Sequence, residues 1–330
     1  MQRSAEGVIS MDRKIDYYAM LLDIIPKRKQ FKSFAGSEGV AYFISGKYVL
    51  KEYTKIDDWK LFDKFFDAYC REVKNFADSG VNIAKIYAWA KIPNIGYYTK
   101  GDKNTHHYYI LEERVPGREL YLGYLEDAYG VMRDLCSEKE YNSAISSSGE
   151  ENLYREILRR YFTDYVQMNE YLESLSDAEF EKFLADAYLM YKTGEQSYPD
   201  LFPHNILVDG SEAPKMIDMH IKTGDEALNP NNADSHFIRD MSGLFMYNCF
   251  PNKPEQYLLN STFDYNEFEL LTKRNVALTR QIIARFYAKL GLVCEKPIVS
   301  KKDFEVLDDS LLLMLDEGAV KELESVLIFE

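Results

Sequence analysis

Apolar and polar positions along this chain follow a few well-separated patterns. Between 31 and 53 (FKSFAGSEGVAYFISGKYVLKEY) they alternate, aromatic and β-branched residues dominate, and breaks fall at Gly36–Gly39 and Ser45-Gly46. This predicts three strands joined by two turns. From 57 to 80 the period changes. Trp59, Phe62, Phe66, Tyr69, Val73 and Phe76 recur every three or four residues, the buried stripe of an amphipathic helix. Asp57 or Asp58 caps its start, and Ser79-Gly80 ends it. Two more strands follow, around 83–90 and 106–111. Helical periodicity then dominates over 121–135, 153–172, 177–191, 263–290 and 302–327, with a polar, Ser-rich loop at 137–152 and a break at Pro297. One stretch of this helical half reads differently. Residues 198–218 give a tight loop, a short apolar strand (Asn205–Val208), a turn at Asp209-Gly210 and a second strand (Lys215–Ile217). At the start of the chain, Ile15–Ile25 is a short amphipathic stretch, followed by Pro26 and the basic run Lys27-Arg28-Lys29. It reads as a capping helix with a solvated charge cluster. Strands first and helices afterwards predict an α+β chain: a small antiparallel sheet with one helix, then a larger, mainly helical part.

Composition narrows the class. A chain of 330 residues holds one large core or two smaller bodies. The net charge of −14, from 40 basic and 54 acidic residues, disfavours nucleic acid and anionic membrane surfaces as partners. The four cysteines (Cys70, Cys136, Cys249 and Cys294) are scattered without a C-x-x-C, which fits buried free thiols and a reducing compartment. No apolar run spans a membrane and no signal-peptide core is present. The expectation is a cytoplasmic protein, or one secreted without a cleaved signal.

Candidate chemistry concentrates in YPDLFPHNILVDGSEAPKMIDMH, residues 198–220. Asp200 and Asn205 are five apart, and Asp218 follows Asn205 by thirteen. A hairpin brings its strand ends side by side, so that the Asn205 amide and the Asp218 carboxylate share one cation, with Asp200 facing the same spot. Two hard oxygen ligands and a carboxylate base suit phosphoryl transfer from Mg-ATP. Glu72 lies at the edge of the helix stripe, where a carboxylate wants a cation, and Lys51 at the end of Tyr48-Val49-Leu50 is the natural one. Gly36 and Gly39 let backbone N–H groups approach phosphate. His106-His107 are adjacent on a strand, point to opposite faces and do not chelate together.

These motifs resemble those of the protein-kinase-like superfamily. The D-x-x-x-x-N of Asp200 and Asn205, the following Ile217-Asp218 and the Val49-Leu50-Lys51 of the third strand carry the likeness, together with the hinge-like ILEERVPGREL at 110–120. The wording is nearest to small-molecule kinases of the aminoglycoside and choline phosphotransferase type, with atypical bacterial protein kinases next. The resemblance covers about residues 31–250. It implies a two-lobed fold: an N-terminal extension at 1–29, an N-lobe at 30–116, and a C-lobe at 117–330 with a helical insertion about 121–175. It assigns Asp200 to orienting or deprotonating the attacking hydroxyl, and Asn205 and Asp218 to Mg2+. Lys51, held by Glu72, neutralises phosphate, and the backbone of Glu113 and Val115 meets the adenine edge. Asp240, leading a helix at 239–245, anchors the catalytic loop backbone.

The chain also departs from that pattern. Tyr198-Pro199 stand where a His and an Arg or Gly are usual, Met219-His220 replace Phe-Gly after Asp218, and Glu112 takes a position usually apolar. The short stretch 219–239 leaves little room for a peptide-docking segment and no A-P-E follows. The leading expectation is therefore an ATP-dependent kinase acting on a hydroxyl of a small molecule (an aminoglycoside, sugar or amino alcohol). An atypical protein kinase and a nucleotide-binding module without catalysis are the alternatives.

Overall fold

The alternating stretch at 32–53 folds into three antiparallel strands, β1 (Lys32–Ala35), β2 (Gly39–Phe43) and β3 (Tyr48–Tyr53). The computed structural model describes residues 15–36, 38–93, 106–120, 166–208, 213–221, 233–246, 265–295, 297–302, 304–305 and 317–329. The expected helix at 121–135, the Ser-rich loop, the turn at Asp209-Gly210 and all of 222–232 lie outside the described residues, as do parts of the runs 153–172, 263–290 and 302–327.

The chain divides into two compact units, Met1–Lys60 with Lys85–Arg114, and Leu61–Ala84 with Val115–Glu330. In the first, β4 (Ile86–Pro93) and β5 (His106–Glu113) complete an antiparallel sheet of order β1-β2-β3-β5-β4. Helix α1 (Tyr17–Ile24), N-capped by the Asp16 carboxylate, buries Leu21, Ile24 and Ile25 against Tyr42, Leu50, Ala88, Ala90, Tyr109 and Leu111 of the sheet. The first helix thus closes one sheet face, as its amphipathic pattern predicts.

In the basic run behind that helix Lys27 and Lys29 are exposed as expected, but Arg28 is not solvated. Arg28 forks onto the buried carboxylate of Glu52 on β3, Nε to Oε2 at 2.7 Å and Nη2 to Oε1 at 2.9 Å. Tyr42 and Tyr109 each donate a hydroxyl to the same carboxylate at 2.9 Å. A charge-assisted fork over a buried acid outweighs the solvation that sequence alone assigns to Arg28. At the β1–β2 turn a Cβ on Gly39 would stand 2.1 Å from the Glu52 carbonyl oxygen, so only glycine lets β2 lie this close to β3.

The second unit contains most of α2 (Trp59–Asp78), whose buried residues Phe62, Phe66, Tyr69, Val73 and Phe76 match the expected stripe. Helices α3 (Asp177–Thr193), α4 (Ala233–Met246) and α5 (Tyr265–Val293) pack around aromatic contacts among Phe180, Phe237, Phe245 and Phe286. The capping box of Ser176 and Glu179 starts α3. Strand β6 (Arg118–Glu119) joins β8 (Ile206–Val208) and β9 (Lys215–Met216) in a three-stranded sheet. A separate two-stranded ribbon pairs β7 (Ser197–Pro199) with β10 (Met219–Ile221). Near the C-terminus, β11 (Ile298–Val299) and β12 (Ile328–Phe329) pair in parallel beside α6 (Glu317–Val326). Helix α4 begins at 233, six residues before the start read from sequence, so Asp240 sits in mid-helix and does not lead it.

Candidate active site

Two backbone pairings bring the Asp and Asn positions of 198–218 together. In the ribbon, Pro199 pairs with Met219 and Tyr198 with His220. Asp200 and Asp218 are the next residues at the same ribbon end, so register alone makes them neighbours. In the hairpin, Ile206 pairs with Met216, and the Ile217 N–H donates to the Asn205 carbonyl at 2.9 Å. Asn205, in a single turn of 3-10 helix at 203–205, is buried, and its Nδ2 donates to Asp200 Oδ2 at 2.7 Å. The donor half of the amide is thereby engaged. Its Oδ1 has no hydrogen-bond partner among the described residues and remains a hard oxygen donor suited to a cation. One Asp218 oxygen accepts the N–H of Met219 at 3.0 Å.

Among the described residues no group of three or more His, Cys, Asp and Glu side chains has metal-cage geometry. Mg2+ takes one or two protein oxygens and completes its shell with water and substrate phosphate. An amide oxygen and the Asp218 carboxylate fit such a site.

The ribbon is anchored from α2. Glu72 was expected to hold Lys51, but its carboxylate is engaged by the backbone of its own unit. It accepts the N–H groups of Glu195 (2.8 Å), Gln196 (3.1 Å) and Ser197 (2.9 Å), and the Ser197 hydroxyl. One turn earlier, the Tyr69 hydroxyl donates to the Met219 carbonyl at 3.0 Å. Residues three apart on a helix share a face, so α2 grips both strands of the ribbon, one through each side chain. Gly194 makes the approach possible: a Cβ there would lie 2.5 Å from the Met190 carbonyl and 2.6 Å from that of Ser197. Glu72→Gln leaves one acceptor oxygen for four donors. It is expected to cost about 2 kcal/mol in urea unfolding and to speed amide exchange at 195–197. Unchanged exchange there would refute the anchoring role.

A second set of contacts fixes the other end of this loop. The Tyr191 hydroxyl donates to Asp240 Oδ2 at 2.6 Å and lies 3.5 Å from the Pro199 carbonyl. Burial, reinforced by Asp240, pushes the Tyr191 phenol well above its usual range, so it remains a donor. Asp240 thus reaches the loop through Tyr191. Asp186 of α3 accepts the Asn82 N–H at 2.8 Å, while the Asn82 amide donates to the carbonyls of Ala213 and Pro214, tying the hairpin to the chain after α2.

In the first unit, Lys51 pairs with Glu112, Nζ to Oε1 at 3.1 Å. The register sets Lys51 opposite Ile110 and Val49 opposite Glu112, so the two side chains are diagonal neighbours on one sheet face. Glu112, at a position usually apolar, is buried at 7% exposure, and the lysine explains how a carboxylate is tolerated there. Of the backbone groups expected to meet a nucleotide, two are already engaged. The Gly36 N–H closes its own turn onto the Gly39 carbonyl at 2.8 Å, and the Glu113 N–H donates to the Lys85 carbonyl at 2.8 Å. Val115 opens the second unit and is half-buried. His204 stacks on Phe202 with ring centroids 5.7 Å apart.

One site residue escaped the sequence reading. His220 Nε2 lies 2.9 Å from Asp200 Oδ2, and its ring packs on Tyr198 at 5.2 Å. The signal was present as an unassigned histidine two residues after Asp218, but only the ribbon register turns it toward Asp200.

No protein-family model and no curated protein sequence matches the chain. Solved structures similar to it include an amicoumacin kinase in complex with AMP-PNP, Ca2+ and Ami, at 13% identity over 87% of this chain and 88% of that one, with a TM-score of 0.30. A MAP kinase from Leishmania major is 12% identical over 93% and 98% of the two chains, TM-score 0.30. An aminoglycoside phosphotransferase from Alicyclobacillus acidocaldarius is 13% identical over 89% and 91%, TM-score 0.29. A likeness at these scores carries no argument about fold or activity.

Proposed function

We propose that this chain is a phosphotransferase that moves the γ-phosphoryl group of Mg-ATP to a hydroxyl of a small molecule. The observation that carries this reading is the convergence of Asp200, Asn205 and Asp218 at one ribbon end, with the Asn205 donor on Asp200 and its oxygen left for a cation. Asp200 accepts the proton of the acceptor hydroxyl as that oxygen bonds to the γ-phosphorus and the bond to the ADP oxygen breaks. Asn205 and Asp218 would hold Mg2+, which would supply positive charge to offset that of the phosphates. Glu72 and Tyr69 act at one remove, by fixing the ribbon on which Asp200 and Asp218 sit. Little covalent help is needed in such a transfer, and its rate rests on positioning and electrostatics.

A nucleotide-binding module without transfer is the second reading. It is favoured by the hydrogen bond from Asn205 and the His220 contact that already occupy Asp200.

The test is transfer from γ-labelled ATP with Mg2+ into a cell extract, afterwards divided into small-molecule and macromolecular fractions, with Asp200→Asn setting the background. Label in the small fraction, absent with the variant, is the expected result. Label on protein instead moves the reading to a protein kinase. Nucleotide binding with no label above background in either fraction favours the binding module.

A further inference from the structure

We infer that His220 is a positioning residue for Asp200, and that it selects which carboxylate oxygen meets the acceptor hydroxyl; this rests on the phosphotransfer reading above. Two donors converge on one oxygen. Asn205 Nδ2 reaches Asp200 Oδ2 at 2.7 Å and His220 Nε2 reaches the same atom at 2.9 Å. A carboxylate only accepts, so the His220 nitrogen that meets it at this ion-pair distance is the protonated one. Oδ1 has no hydrogen-bond or ion-pair partner among the described residues, and the Asp200 side chain keeps 13% exposure. The carboxyl plane is therefore fixed from one side, and the oxygen opposite is the one presented for proton transfer.

The contact is built into the fold. Tyr198 and His220 are paired across the ribbon, and the Tyr198 ring lies against the imidazole at 5.2 Å. The tyrosine limits the ring's rotation and the ribbon sets its depth. Asp200 follows Pro199, whose pairing with Met219 places the acid one step beyond the histidine's own strand. The ribbon is gripped through Glu72 and Tyr69, so distortion of either strand would move His220 and Asp200 relative to each other. Without His220, only Asn205 restrains the carboxylate. That single amide also faces the cation site, so the acid would turn when the amide moves to meet a metal.

The experiment compares wild type, His220→Ala and His220→Gln in the labelled-ATP transfer assay, fitting apparent kcat and the KM for ATP. His220→Ala is expected to lower kcat by about 10- to 100-fold, as for other residues that orient a reacting group, with KM for ATP unchanged within about 2-fold. His220→Gln returns a donor near the Nε2 position and is expected to recover most of the loss. An unchanged kcat in His220→Ala overturns the inference. So does a loss that glutamine does not restore, or one carried by KM, because either marks a general structural or nucleotide-binding role. Histidine side-chain NMR reads the contact without activity. The His220 Nε2 signal is expected to move on Asp200→Ala while the other four histidines stay in place, and no movement overturns the inference. A wild-type chain that transfers no label defeats the phosphotransfer reading instead. The NMR result then decides separately whether His220 holds Asp200.

Discussion

Asp218→Ala is expected to lower phosphoryl transfer by about a thousandfold or more, roughly 4 kcal/mol of transition-state stabilisation. The reason is the small number of protein ligands. On the phosphotransfer reading, a Mg2+ that Asn205 and Asp218 would hold loses the charge of Asp218, and water does not replace that charge. Asp218 sits at the ribbon end, where it accepts the adjacent Met219 N–H, and urea unfolding of the variant checks that it still folds. Nucleotide binding supplies a second readout. Mg2+ is expected to strengthen ATP binding by the wild type over that in EDTA, and in Asp218→Ala this difference should largely vanish. Transfer within tenfold of wild type, with the Mg2+ dependence intact, would remove Asp218 from the metal site.

The residue types of this site were legible in the sequence, but their partners were not. Spacing places Asp200, Asn205 and Asp218, because a hairpin has few ways to connect strands of three or four residues. The stripe on α2 and the alternation in β2 and β3 were equally open to reading, since burial on one face leaves a period in the chain. The ribbon of β7 and β10 left none. Each strand has three residues, too few for a period, and their pairing joins positions 20 to 24 apart. Glu72 was assigned a cation by the general rule that a half-buried carboxylate needs one. Three backbone N–H groups and a hydroxyl satisfy it as well, and backbone donors have no sequence signature. Glu112 looked misplaced because its lysine is a diagonal neighbour on the next strand, which only the β3–β5 register reveals. Arg28 looked solvated for the same reason: its partner Glu52 is 24 residues away on β3.

That last pair gives the largest expected effect on stability. Glu52 is 5% exposed and holds Arg28 through two bonds, so Arg28→Met buries an acid without its cation, at a cost of about 3 kcal/mol. The tyrosine hydroxyls of Tyr42 and Tyr109 still donate to the carboxylate and keep the loss from rising further. The sheet face under α1 should loosen most, with faster amide exchange across 17–24 and 39–53. The same network makes stability depend on acid. Burial pushes the Glu52 carboxyl up, but the bonds from Arg28, Tyr42 and Tyr109 together outweigh it and hold the group below its ordinary value of 4.5. A pKa that is lower in the folded chain than in the unfolded one lends stability that is complete above the unfolded pKa. That stability is lost as pH falls through the folded pKa. Urea midpoints of the wild type should therefore fall as pH is lowered from about 5 toward 3, and Glu52→Gln, which cannot titrate, should show a shallower fall over the same range. Parallel slopes in the two proteins would mean that this carboxylate contributes nothing to the acid limb. A clamp that survives Arg28→Met with an unchanged midpoint would mean that the apolar face of α1 alone holds the first helix to its sheet.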